Sequence, residues 1–257
     1  GDILLKNECA KESLPMMPLD VCGAESQGMI GYFFQQSMDR ELTSAGLSCP
    51  VVTVLTQTRV DPDDPAFRSP SKPIGPFYTH FEASRLREEK GWVVVNDAGR
   101  GWRRVVPSPE PVEIVEGSSL ATLYEEGMIV IACGGGGIPV IRVPDGSLSG
   151  VEAVIDKDHS AALFATLIRA DILLILTDVE RIALNFGRPD QRDLTAMTVS
   201  EAERFLSDGH FAPGSMGPKV EAAIRFVRAG GERAIVTSLV KGLDALEGRA
   251  GTTITKG

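Results

Sequence analysis

What the chain lacks narrows its class first. No apolar run approaches the ~20 residues that a membrane-spanning helix needs, which argues against an integral membrane protein. Paired cysteines are missing too. Cys9, Cys22, Cys49 and Cys133 lie far apart with no CxxC, and the only histidines are His80, His159 and His210. A zinc site or a disulfide framework would need closer spacing, so idle thiols in a reducing cytoplasm are expected. Gly1–Lys6 has no basic stretch followed by an apolar one, so no signal peptide is read there. Basic charge is in short supply: 26 Lys and Arg stand against 35 Asp and Glu, a net charge of −9. That balance disfavours general binding to nucleic acid or anionic membranes and leaves room only for local basic pockets. No Walker A loop, GxGxxG fingerprint, GxSxG elbow, internal repeat or low-complexity tract is present.

What remains is an ordinary globular composition, 43% apolar and 24% charged over 257 residues. That length suits one large domain or two small ones. Short, nearly continuous apolar runs at Val51–Val60, Met128–Cys133, Leu173–Val179, Ala234–Leu239 and Thr252–Thr255 read as buried strands of a parallel sheet. Helical patterns occupy Gly28–Leu42, Leu120–Glu126, His159–Arg169 and Pro218–Ala229. Thr198-x-x-Glu201 reads as a capping box that opens a helix through Leu206. In the helix after Pro218, Val220, Ala223, Ile224 and Val227 form one apolar stripe. Alternating strands and helices predict an α/β fold. Asp61–Asp97 breaks the alternation with five prolines and many charges, and reads as an inserted subdomain or lid with one helix near Glu82–Glu89.

Several segments carry chemistry. Cys133-Gly134-Gly135-Gly136-Gly137-Ile138-Pro139 follows a buried strand, where bare backbone amides can approach an anion. The alternative is a plain flexible turn. Val154-Ile155-Asp156-Lys157-Asp158 precedes a helix. Asp158 reads there either as a helix cap or as one half of a Lys–Asp pair at a phosphate site. His210–Lys219 repeats the theme, with a Gly/Pro/Ser loop leading into a helix that carries Lys219 near its start. Thr177-Asp178-Val179 closes a strand, facing a nucleotide or Mg2+, or capping a turn. Arg100, Arg103 and Arg104 crowd a glycine-rich stretch that is either an anion clamp or a solvated hairpin. Lys72 sits in a rigid Pro/Gly frame within the presumed lid. His210 reads as a packing or hydrogen-bonding histidine rather than a base.

Taken in order, MPLDVCGAESQGMIGY (17–32), VLTQTRVDPDDPAF (54–67), KPIGPF (72–77), DAGRGWRRVVPSP (97–109), CGGGGIPV (133–140), GVEAVIDKD (150–158) and GHFAPGSMGPK (209–219) resemble the carbamate kinases of the amino-acid kinase superfamily. The resemblance implies a three-layer αβα sandwich around a mainly parallel sheet, with a protruding lid subdomain at 61–97 inserted in a domain spanning 1–257. It implies a cytoplasmic homodimer that interconverts ATP plus carbamate with ADP plus carbamoyl phosphate in arginine metabolism. Mg2+ would be carried by the nucleotide, with no protein metal site. Position by position, Lys157 and Lys219 would neutralise the phosphoryl group, Asp158 would orient them, and Lys72 would reach the carbamoyl end. Gly134, Gly135 and Gly136 would offer backbone donors to the substrate, with Arg103 as a further anion contact. Thr177, Asp178, Ala212, Pro213 and Met216 would border the nucleotide.

The resemblance also implies a strand and two glycine-rich loops ahead of Gly1. The expectation is therefore an N-terminally truncated chain with impaired activity. Two other readings stay open at this stage. One is a related kinase forming a different acyl phosphate, and the other is a non-catalytic protein that binds nucleotide or carbamoyl phosphate.

Overall fold

The structure is a computed structural model that describes residues 16–97 and 99–257. Cys9 and the Gly1–Lys6 segment lie outside the described residues. The chain folds as two compact units, Gly1–Lys157 and Asp158–Gly257.

In the first unit, helix α1 (Leu19–Ser44) precedes strands β1 (Val51–Thr53) and β2 (Gln57–Val60). Strand β3 (Lys72–Tyr78), helix α2 (His80–Lys90) and strands β4 (Val94–Asn96), β5 (Trp102–Val106) and β6 (Pro111–Ile114) follow. Helix α3 (Gly117–Glu125) leads to β7 (Ile129–Ile131), β8 (Ile138–Arg142) and β9 (Leu148–Gly150). Strands β1 and β7 pair in parallel. A second sheet runs β6-β2-β8-β9, with β2 and β8 parallel. A third, wholly antiparallel, runs β3-β5-β4 and draws on the proline-rich segment and the strand just beyond it.

The run Val51–Val60 is thus two strands in two sheets rather than one. The break falls at Val54–Thr56, where the buried side chain of Gln27 accepts from the Thr56 N–H at 2.8 Å and donates to the Thr56 carbonyl at 3.0 Å. That clamp takes the Thr56 N–H out of any ladder, while the Thr56 carbonyl also accepts from the Ile138 N–H of β8 at 2.8 Å. Helix α1 begins nine residues before the predicted Gly28, directly after Pro18. Its internal glycines discourage the sequence reading, but Gly31 has a packing reason. A Cβ there would stand 2.1 Å from Thr53 Cγ2, so only glycine lets α1 lie this close to β1.

In the second unit, helix α4 (Lys157–Leu167) opens at the boundary and is followed by β10 (Ile172–Thr177), β11 (Ala183–Leu184), β12 (Arg192–Asp193) and β13 (Ala196–Thr198). Helices α5 (Val199–Ser207) and α6 (Met216–Arg228), strand β14 (Arg233–Ser238), helix α7 (Gly242–Leu246) and strand β15 (Thr252–Thr255) complete it. The sheet order is β10-β14-β15-β13, with β10–β14 and β13–β15 parallel and β14–β15 antiparallel. The capping box forms as read: Thr198 Oγ1 accepts from the Glu201 N–H, and the Glu201 carboxylate accepts from the Thr198 N–H at 2.8 Å. The stripe Val220, Ala223, Ile224 and Val227 is buried in full against β10, β14 and β15 residues such as Leu173, Val236 and Ile254. Helix α6 starts two residues before Pro218, which therefore sits third in it. The first four N–H groups of a helix have no internal acceptor, so the missing proline donor costs nothing there.

No helix among the described residues is long and apolar enough to cross a membrane. Phe226, 1% exposed, is the largest fully buried side chain of the second core. Phe226→Ala should lower the unfolding free energy by about 3–5 kcal/mol in urea titration. A loss below about 1 kcal/mol would contradict the packing described.

Candidate active site

Chemistry in the second unit gathers at the carboxyl end of β10 and the start of α6. Strand β10 delivers Thr177 and Asp178, and the loop before α6 delivers His210, Ala212, Ser215 and Met216. Together they line an open cleft of about 760 Å³. The remaining wall is formed by the apolar or aromatic Val179, Ala183, Phe186 and Phe211, together with Arg181. Ligands of open α/β sheets sit at this end of the strands. Of the residues expected to border a nucleotide, Thr177, Asp178, Ala212 and Met216 line the cleft, and Pro213 stands exposed on the loop between two of them.

One turn into α6, the Lys219 ammonium donates to Asp158 Oδ2 at 2.8 Å. Both residues are buried, Lys219 at 8% and Asp158 at 6% exposure. Asp158 is the second residue of α4, inside the helix and aimed at Lys219, so it forms the Lys–Asp pair rather than a cap. A second contact joins the same two helices: a ring nitrogen of His159 lies 3.1 Å from Glu221 Oε2. Sequence reading missed this second pair, because its two members lie 62 residues apart. Lys157, the first residue of α4, is exposed.

In the first unit, Lys72 from β3, Arg103 from β5, and Gly134 and Gly135 line another open cleft, of about 1050 Å³. Lys72 Nζ donates to Asp156 Oδ2 at 2.9 Å. The arginine-rich stretch does not act as one clamp. Arg100 and Arg103 both reach Asp97, at 3.1 and 3.3 Å, and hold its carboxyl below the usual range, Arg100 most strongly. Arg104 turns to the opposite face of β5, pairs with Glu152 and stacks on Trp92. Arg103 alone faces the cleft, and its Nε is buried without a hydrogen-bond partner.

The glycine loop is held rather than loose. Gly136 has φ +146°, and a Cβ there would meet the Ile155 carbonyl at 2.3 Å. Gly136 therefore packs on that backbone, while Gly134 and Gly135 face the cleft. Cys133 adopts φ 57°, and its N–H donates to Thr56 Oγ1 at 3.0 Å. Through Thr56 the loop is tied to Gln27 on α1. Gln27 lies in one of the quoted motif segments, but nothing in its local pattern marks it as the anchor. Burial, reinforced by the nearby Glu116 charge, pushes the Cys133 thiol up to about 12. It stays a neutral thiol at physiological pH and is no nucleophile.

The chain as a whole has known relatives. The amino acid kinase family matches residues 11–238, and the chain belongs to that family. Within it, the similarity runs to the carbamate kinases. The enzyme of Thermococcus kodakarensis is 52% identical over 258 residues, covering 100% of this chain and 82% of that protein. The carbamate kinase of Clostridium perfringens is 48% identical over 260 residues, with the same coverage. Among solved structures, carbamate kinase from Giardia lamblia bound to AMP-PNP superposes with a TM-score of 0.93 at 48% identity, covering 100% of this chain and 81% of that one. The fold is accordingly the α/β fold of the amino-acid kinases.

The sequence alone predicts that exchanging either Lys157 or Lys219 leaves folding nearly unchanged. The structure separates them. Lys219→Met takes the ammonium away from the buried Asp158 carboxylate, which should cost about 3–5 kcal/mol. Lys157→Met, at an exposed position, should shift stability by less than about 0.5 kcal/mol. Urea titration of the two variants decides the point. Equal effects would contradict the buried pair.

Proposed function

We propose that the chain catalyses reversible phosphoryl transfer between ATP and carbamate, giving ADP and carbamoyl phosphate. The observation that carries this reading is the buried Asp158–Lys219 pair, one turn behind the Met216 end of the strand-end cleft. The identity of about 50% to carbamate kinases over the whole chain supports it.

Carbamate presents an oxygen anion, so no general base is required. That oxygen forms a bond to the γ-phosphorus as the bond to the ADP oxygen breaks. Such a transfer depends on positioning and charge neutralisation more than on covalent help from the protein. We assign the charge neutralisation to Lys219 and Lys157. Asp158 holds Lys219 at one rotamer, so its ammonium need not reorganise as charge develops. Thr177, Asp178, Ala212, Pro213 and Met216 border the nucleotide, and Phe186 offers a ring face at its mouth. In the first unit, Lys72, Arg103 and the N–H groups of Gly134 and Gly135 are assigned to the carbamoyl end; Gly136, expected from the sequence to donate as well, spends its N–H on the Cys133 carbonyl. The unsatisfied Nε of Arg103 is suited to an anion.

Mg2+ is assigned as nucleotide-borne, because it is usually held through phosphates and water with one or two carboxylates. Asp178 is the cleft-lining carboxylate that would face its water shell, and the ion would supply charge neutralisation at the phosphates. We place the activity in a cytoplasmic homodimer serving arginine metabolism. The exposed Tyr32, Phe33 and Phe34 on α1 support an apolar protein contact for the first unit.

A coupled assay in both directions tests the proposal. ATP with carbamate should yield ADP and carbamoyl phosphate, and the reverse pair should yield ATP. Lys157→Ala should lower kcat by at least ~100-fold with an unchanged melting curve. No turnover in either direction, or near-normal kcat in the variant, would overturn the reading.

A further inference from the structure

Among the polar side chains of the cleft at the end of β10 that the phosphoryl chemistry does not use, which include Arg181 and Ser215, His210 is the one held by a defined hydrogen-bond relay. Two hydrogen bonds behind the ring determine which edge the ring can present. Asn185 Nδ2 lies 2.7 Å from Asp190 Oδ2. A carboxylate only accepts, so the nitrogen of the Asn185 amide must face it. The amide oxygen is then the atom 2.9 Å from His210 Nδ1. An amide oxygen only accepts as well, so Nδ1 carries the proton. In the neutral ring, Nε2 is then left with a bare lone pair.

The ring and its partner are both held. Asn185 sits at φ 53°, a conformation that asparagine adopts more readily than most residues. The turn after it is closed by Gln191, whose side chain accepts from the Gly187 N–H at 2.9 Å and donates to Asp193 at 3.0 Å. Phe205 meets the His210 ring edge-on, with centroids 5.7 Å apart, and fixes its plane. His210 lines the cleft, whereas Asn185 and Phe205 are not among the lining residues. The bonded edge therefore points away from the cleft.

We infer that His210 selects the nucleobase: its Nε2 accepts a hydrogen bond from a 6-amino purine and opposes a 6-oxo purine. The inference rests on reading this cleft as the nucleotide site. Apolar walls from Val179, Ala183 and Met216, with the Phe186 ring at the mouth, suit the flat faces of a purine. The lone pair at the edge reads position 6, where adenine and guanine present opposite groups. Adenine offers an N–H there, and guanine offers a second acceptor. Two facing acceptors leave both unsatisfied in a partly closed site, which penalises the wrong base more than a missing contact would.

Calorimetric titration of the full chain with ATP, GTP and purine riboside triphosphate, which lacks the 6-substituent, tests this. The wild-type chain should bind ATP at least ~10-fold more tightly than GTP, with the unsubstituted purine between them. In His210→Gln the carboxamide can present either its oxygen or its nitrogen, so the ratio of ATP to GTP affinity should fall towards 1. In Asp190→Ala, at an exposed position, the Asn185 amide is free to turn and the ratio should fall part-way. The second variant decides the matter if the first fails to fold. An unchanged ratio in the folded variants, or a wild-type chain that binds all three alike, overturns the inference and leaves the nucleotide reading standing. Failure of all three nucleotides to bind overturns the nucleotide reading and the inference together.

Discussion

The buried ion pair between Asp158 and Lys219 is the constraint on which the second unit depends. Taking two charges out of water costs several kcal/mol each, and only close, well-oriented contact offsets that loss. The fold provides the contact by setting the first turns of α4 and α6 side by side, with His159 and Glu221 joining the same helices a second time. Beneath them, the apolar sides of both helices and of β10 and β14 merge into one core, from Ala162 and Ala165 to Val220 and Phe226. The core fixes the helices, the helices fix the pair, and the pair fixes one ammonium group near the strand-end cleft. A lysine near a helix N-terminus is disfavoured for stability alone. Its retention in a buried position is what an anion-handling role accounts for.

The first unit uses a different means to the same end. Its glycine loop would be a floppy anion binder if left alone. Cys133, in a left-handed conformation, is instead held by Thr56, which Gln27 holds from α1, and Gly136 packs on the Ile155 backbone. Gly134 and Gly135 are left facing a cleft that also receives Lys72 and Arg103. Backbone donors arranged before a ligand arrives need no reorganisation when charge develops on it. The two basic residues are each tethered by a carboxylate, Asp156 for Lys72 and Asp97 for Arg103. Orientation of this kind separates a built site from a basic patch.

Much of this could be read in the sequence, because local signals determine it. The capping box at Thr198 and Glu201, the stripe from Val220 to Val227 and the strand Thr252–Thr255 depend on near neighbours in the chain and appear where their patterns place them. The elements misjudged are those set by distant partners. Val51–Val60 reads as one β-branched run, but Gln27 divides it. Helix α1 reads as starting at Gly28, although it begins at Leu19 and Gly31 within it serves contact with β1. Among the arginines, strand alternation sends Arg103 to the cleft and Arg104 to Glu152, which a bare cluster of three cannot reveal. The roles of Gln27, Glu221 and Asn185 depend on contacts between residues well separated in sequence, so no single segment announces them.

The central claim is that Asp158 and Lys219 act as one unit in turnover, beyond stabilising the fold. A double-mutant cycle on kcat tests it most directly, using Asp158→Asn, Lys219→Met and the double variant, with nucleotide affinity measured alongside. The account predicts that each single change lowers kcat at least ~100-fold and that the double variant is scarcely worse than either, because residues acting together are not additive. Nucleotide affinity should move far less than kcat. Additive losses, or losses confined to nucleotide affinity, would contradict the claim.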